Sequence, residues 1–293
     1  MATYTNLDDE IFAQGVLQGF VATLLPFNSF STNFSPEAMQ KGQTVLVPLI
    51  GGLVATTFGG SYAVCGGSAS VITVTINRHK HVPIGQDDLT AANSSKANLE
   101  SFGFQQGQAL AIAVLQDVWS LLTTANFGLA TAVSVVDFAM AQIRRGRYLL
   151  NGANAPIMPR AMVLDLDPFD NLLGITNFLQ VYAAGSDETL REGRIGRALG
   201  FQVFETNALP GTGSVMGFAA HASAIAIAMR YLQPQQPAAY SAARPITDPD
   251  TGATFGLRRH YDPNTGTEYL NIEANYGYAV GISNGARVFK RLD

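Results

Sequence analysis

The sequence predicts a mixed α+β fold, and three stretches of it carry that prediction. Residues 96–126 hold the longest helical pattern in the chain, with apolar side chains on two faces. Two β-branched runs, at 44–50 and 70–76, lie inside 36 consecutive residues (42–77) that carry no charge. Two turn signatures, Asp248-Pro249-Asp250-Thr251-Gly252 and Asp262-Pro263-Asn264-Thr265-Gly266, fall fourteen residues apart, with strand-like segments at 255–261 and 269–272. Together they read as a β-meander.

Composition bounds what such a fold can do. At 293 residues the chain can bury a core, and its 47% hydrophobic and 14% charged residues exclude intrinsic disorder over most of its length. A charged fraction well below the usual ~25% also means that water is not the only neighbour of this surface. The formal net charge of -4 supplies no global attraction to nucleic acid or to an anionic membrane. Of the 18 basic residues 14 are Arg, whose weakly hydrated, bidentate guanidinium suits contacts between protein surfaces. The single cysteine, Cys65, excludes an internal disulfide and a cysteine zinc site. Asp8, Asp9 and Glu10 make the N-terminus acidic, unlike a secretory signal.

Taken in order, residues 7–25 space Ile11, Val16, Phe20 and Leu24 as a helix does, place acids in the first turn and stop at Pro26. Residues 27–36, rich in Ser, Asn and Phe without a period, read as an extended arm that needs a surface to lie on. In the uncharged stretch, glycine pairs beginning at Gly51, Gly59 and Gly66 dilute the hydrophobicity far below that of a membrane helix. The β-branched runs make it a long hairpin, with Val71, Thr73 and Thr75 alternating against Ile72, Val74 and Ile76. Such a hairpin exposes two strand edges, and the expected cover is a second copy of the chain.

In the long helix, with Ser94 or Ser95 as N-cap, Leu110, Val114, Val118, Leu121 and Ala125 form one face, and Ile112, Leu115, Trp119 and Leu122 a second. Ser134 to Asp137 has the spacing of a capping box, opening a helix that ends near Arg145 and Gly146. Residues 160–166 read as a buried strand, followed by a short helix with Asp167 as N-cap, Pro168 in its first turn, and its end at Gly174. Residues 200–206 and those from Val215 are strand-like, while 219–232 fit either period.

No candidate catalytic or metal set survives inspection of the residues. Gly281-Ile282-Ser283-Asn284-Gly285 matches a nucleophile elbow, but the eight residues after it contain no His to serve as base. His79 and His81 share a strand face and lack a carboxylate before Asp87, so they read as a polar strand end. Asp165, Asp167, Asp248 and Asp250 read as caps and turn formers. Gly211, Gly213 and Gly217 miss the dinucleotide spacing by one residue. The clusters Arg144, Arg145, Arg147 and Arg191, Arg194, Arg197 lack the interleaved aromatics of a nucleic-acid groove and read as intersubunit ion-pair formers. No cofactor, metal or enzymatic activity is expected.

The order of these features resembles the major capsid proteins of tailed bacteriophages, with the Hong Kong ninety-seven type fold. Val74-Thr75-Ile76-Asn77-Arg78 running to Val82 and Pro83 is similar to the returning strand of that family's E-loop, and 99–122 to its spine helix. Leu190 to Gly196, Gly200 to Asn207, 218–228 with His221 and Ala222, and Gly256-Leu257-Arg258 also resemble it. The resemblance implies an N-terminal arm (1–41), an E-loop (42–82), a P-domain with the spine helix (83–133), an A-domain (134–243) and a P-domain return (244–293). It implies hexamers and pentamers of the chain itself, a portal protein, a decoration protein, and non-specific contact with packaged double-stranded DNA, with no membrane. Because the arm starts almost at Met1, it also implies a separate scaffolding protein. The expected location is the virion, after assembly in the host cytoplasm. The residues expected at contacts between subunits are Phe30, Phe34, Leu53, Phe58, Tyr62, Arg144, Arg145, Arg194 and Arg197. Encapsulin nanocompartments share the fold and form the alternative, with a membrane-associated β protein behind it.

Overall fold

The computed structural model describes residues 7–24, 27–33, 44–50, 57–60, 69–89, 97–175, 193–210, 214–249 and 251–292. Its first helix, α1 (Leu7–Leu24), packs parallel to a later one, α3 (Ala97–Trp119), at a distance only glycine allows. A Cβ on Gly19 would stand 2.1 Å from the Phe104 carbonyl oxygen, and one on Gly107 would stand 2.2 Å from that of Val16. Gly15 and Gly103 face Glu100 and Phe12 in the same way, so two G-x-x-x-G pairs let the backbones touch. The apolar face of α1 is consumed here: Phe12, Val16, Phe20 and Leu24 are buried in this chain's own core.

The segment after α1 departs from the expected extended arm. Phe27–Phe30 forms a turn of helix, α2, and Ser31–Asn33 forms β1, which pairs in parallel with β10 (Ile225–Arg230). Phe27 and Phe30, two of the phenylalanines that suggested an arm seeking a foreign surface, find one within the subunit. Phe30 is fully buried, edge-on to Phe218 at 5.5 Å and 6.0 Å from Trp119.

The uncharged stretch forms the expected hairpin: β2 (Thr44–Ile50) and β3 (Ala69–Thr75) pair antiparallel, Thr44 opposite Thr75. Its chain continues into β4 (Arg78–Asp87), which pairs with the longest strand, β13 (Thr267–Val280). β13 organises the first six-stranded sheet, taking β12 (Thr254–Asp262) along its first half and β10 along its last residues. β11 (Ala242–Thr247), which carries Pro245, closes one edge, as befits a strand that cannot donate throughout. The meander turns form as expected, with the Asp248 carboxylate accepting from the Thr251 backbone N–H and hydroxyl.

α3 ends at Trp119, and a turn leads to the short helix α4 (Thr124–Phe127), which Thr123 caps. The helical pattern beyond Trp119 is therefore not one helix, and Ala125 is exposed. Ser94 and Ser95 lie outside the described residues.

The second six-stranded sheet runs β5 (Leu129–Val133), β14 (Ala286–Arg291), β9 (Val215–His221), β6 (Arg160–Leu164), β8 (Phe201–Glu205), β7 (Arg197–Ala198). One face joins the core around α1 and α3; the other lies under α5 (Met140–Gly152) and α6 (Leu166–Leu173). Residues 219–232 resolve into the end of β9 and all of β10, in different sheets. β10 and β11 share a sheet with β12 and β13, and β14 shares one with β5 and β9, so each sheet draws strands from both sides of 243/244.

Two expected caps are displaced. Ser134 makes no cap; 135–137 is a single 3-10 turn, and α5 begins later, where the Gln142 side chain accepts from the Ala139 N–H. α5 runs to Gly152, because Gly146 faces the ring of Phe289 in mid-helix and ends nothing. Asp165, not Asp167, caps α6.

Candidate intersubunit surfaces

The hairpin has two unlike faces. Val45, Val47 and Val74 are buried against Ala226 and Ala228 of β10, anchoring its root. On the opposite face Leu46 is 64% and Val71 59% exposed, flanked by the exposed Thr44, Thr73 and Thr75. Among the described residues β2 pairs only with β3, so both outer edges offer unpaired backbone groups. A two-stranded ribbon is marginal on its own in water, and this one is held at its root by β10 and β13, where the Thr75 backbone lies against Gly277. Phe58, between the two strands in sequence, is 62% exposed.

A charged network fixes the strand that the hairpin feeds. Glu273, buried on β13, pairs with Arg258 of β12 at 2.6 Å and with His79 Nε2 of β4 at 3.2 Å, while Arg258 also donates to the Leu232 carbonyl. On the other face of β4, Lys80 reaches Asp117 of α3 at 3.6 Å, and Asp117 accepts from the Tyr276 hydroxyl at 2.7 Å. Burial, then this hydrogen bond, pushes the Tyr276 phenol well above its ordinary range. A carboxylate held by partners from two or three elements is costly to strip, so the hairpin projects from a rigid base.

The outer surface of the second sheet carries the arginines singled out in the sequence. Arg144 and Arg145 are exposed on α5, Arg145 lying 5.4 Å over the ring of Tyr148. Arg197 is exposed on the edge strand β7, with Arg194 exposed just before it. Phe34, Leu53 and Tyr62 lie outside the described residues. Phe30 is the one expected contact residue that the structure withdraws, since its ring is spent inside the subunit.

Ser283 sits exposed in a 3-10 turn. His221 hydrogen-bonds Ser223, and burial, with Arg160 nearby, lowers its pKa. The rings of His79 and His81 stand 6.2 Å apart; among the described residues no group of three or more His, Cys, Asp or Glu is gathered to hold a metal. Asp167 pairs with Arg291 at 3.1 Å. A cavity of about 290 Å³ between α1, α3 and residues 204–208 is lined by Leu115, Trp119 and Phe204, with Glu205 its one titratable side chain. No helix among the described residues is long and apolar enough to cross a membrane.

No protein-family model and no curated protein matches this chain. Solved structures do. One from Mycobacterium phage Che8 superposes at a TM-score of 0.58, with 22% identity over 85% of each chain. The capsid structure of cyanophage P-SCSP1u gives a TM-score of 0.61 with 14% identity, over 91% of this chain and 88% of that one. A virus-like particle from Pyrococcus furiosus gives 0.58 with 13% identity, over 96% and 98%. At such identities the likeness speaks for the fold, which is that of these capsid shells, the Hong Kong ninety-seven type.

Proposed function

We propose that this chain is the major capsid protein of a tailed bacteriophage, self-assembling into the icosahedral shell that encloses a double-stranded DNA genome. The observation that carries the reading is the hairpin on this fold: rigid at its root, uncharged with Leu46 and Val71 exposed on the face it turns away from its own subunit, and unpaired along both outer edges among the described residues. A neighbouring copy is the cover that removes both the exposed area and the open edges, and a closed shell supplies one for every subunit. At about 25 cal/mol per Å² of apolar surface, a few hundred Å² per contact, repeated around each subunit, gives stability without covalent chemistry.

In this reading α1 is part of the subunit, and any crossing of the arm onto a neighbour belongs to residues outside α1, α2 and β1. The E-loop (42–82) reaches over a neighbour through Leu46, Leu53, Phe58, Tyr62 and Val71, while the arginines of α5 and of 194–197 act at further contacts. The chain works by binding rather than by turnover, with a scaffolding protein, a portal, a decoration protein and DNA as its other partners, in the host cytoplasm first and the virion afterwards. Electron microscopy of the purified protein tests this: closed shells are expected, and discrete monomers under every condition would remove it. An encapsulin-type compartment is the second reading, and the overlap with the virus-like particle from Pyrococcus furiosus is the observation that keeps it in view. Particles that carry a cargo protein and no DNA from the producing infection would select it.

A further inference from the structure

We infer that copies of this chain meet through a charge-complementary contact on the outer surface of the second sheet, where the arginines of α5 in one copy face Asp137 and Asp170 of another. The inference deepens the shell reading by naming the groups that meet. α5 carries Arg144, Arg145 and Arg147, all exposed, and no acid along its length. The 3-10 turn and α6 are the converse: Asp137, Asp167 and Asp170 are exposed there, and neither segment contains a base. The Asn171 amide donates to the Val135 carbonyl at 2.8 Å and joins turn and helix into one acidic patch. Because α5 and α6 bury their apolar sides in the same cluster, both strips lie on one surface of the subunit.

Within the subunit the two strips do not neutralise each other. Among the described residues Arg144, Arg145 and Arg147 pair with no carboxylate, and Asp137 and Asp170 with no cation. Three like charges within four positions of a helix repel one another, and Arg147 also repels the buried Arg160 beneath it. An isolated subunit carries that cost, and an opposing acidic strip relieves it. Each strip also offers an exposed apolar residue, Tyr148 at 67% beside the arginines and Val136 at 79% beside Asp137, so the contact has the Arg- and Tyr-rich make-up of a protein interface.

Sedimentation velocity on four forms of the full chain tests the contact: unmodified, Arg144→Glu with Arg145→Glu, Asp137→Arg with Asp170→Arg, and all four changes together. Circular dichroism melting checks that each form folds. Either one-sided variant is expected to self-associate about tenfold or more weakly than the unmodified chain, and the fourfold variant to recover. One-sided variants that associate as well as the unmodified chain, or a folded fourfold variant no better than they are, would overturn the inference. So would a defect confined to the arginine side, which would assign the basic strip to a phosphate-bearing or acidic partner instead. Closed shells indifferent to every swap would leave the shell reading standing without this contact, whereas small oligomers that obey the swaps would keep the contact and remove the shell.

Discussion

Replacing Gly19 with alanine tests the closest packing in the molecule. The added methyl would lie 2.1 Å from the Phe104 carbonyl oxygen, and 2.9 Å from its carbonyl carbon, both backbone atoms of α3. Carbon normally approaches such atoms no nearer than ~3.5 Å, so the helices must part by roughly 1 Å or more, or tilt. Overpacking of this kind costs about 1–3 kcal/mol, and backbone on both sides leaves no side chain to give way, which places Gly19→Ala at the upper end. Alanine's better helix propensity offsets about 1 kcal/mol, leaving a net loss of roughly 2 kcal/mol. Gly152 is the internal control: it is helical, its Cβ would meet nothing within 4 Å, and Gly152→Ala should stabilise by a few tenths to about 1 kcal/mol. Urea unfolding of the unassembled subunit reads both as shifts in midpoint at constant slope. A Gly19→Ala midpoint equal to that of the unmodified chain, or higher, would mean that α1 does not lie on α3 and belongs elsewhere, as a free arm would.

Four further outcomes follow from the same structure. Trp119→Ala should cost about 3–5 kcal/mol, because its fully buried ring packs on Phe30 and Phe218; a loss under ~1 kcal/mol in the same unfolding assay would move it out of the core. Leu46→Asp with Val71→Asp should leave the subunit's melting unchanged and abolish shells in sedimentation, as should deletion of residues 51–68 at the hairpin tip; loss of the monomer fold would assign the hairpin face to the core. Between Lys41 and Lys80 there is no Lys, Asp or Glu, so the hairpin lacks the amine and carboxylate an isopeptide needs; particles boiled in SDS should run as one band near 31.2 kDa, and a ladder would refute this. His221 should make the subunit acid-sensitive: its pKa is lowered in the folded state, so as pH falls below about 6.5 the unfolded chain takes up a proton that the folded one resists, and stability drops. His221→Gln should flatten that stretch of the stability–pH curve, and an unchanged slope would acquit the residue.

Strands announced themselves where side-chain chemistry was local. The β-branched alternation of 70–76 and the two Asp-Pro turns placed the hairpin strands and the meander turns to within a residue or two, because both signals act within a few positions, whereas β13 runs eight residues beyond the 272 that the sequence suggested. Caps were read less well. Ser134 and Asp167 had suitable neighbours, but α5 is capped at Ala139, beyond the 3-10 turn that follows β5, and α6 at Asp165, where β6 ends. Phe30 was misassigned because an aromatic in an aperiodic polar segment looks the same whether its partner is a neighbour or, as here, a Phe218 nearly two hundred residues away. The glycine spacing at 15, 19, 103 and 107 was present in the sequence and unread; it gains meaning only when both helices are known to face each other. Of the two charged strips, the basic one was legible as a cluster, whereas the acidic one was hidden in residues read singly as caps and turns.

A reconstruction of the assembled particle, at a resolution that traces β2 and β3, tests the central claim most directly. The account predicts a closed icosahedral shell in which the face bearing Leu46 and Val71 lies against a neighbouring copy and leaves solvent entirely. A shell in which that face stays open to water, or a chain that never closes into one, would contradict it.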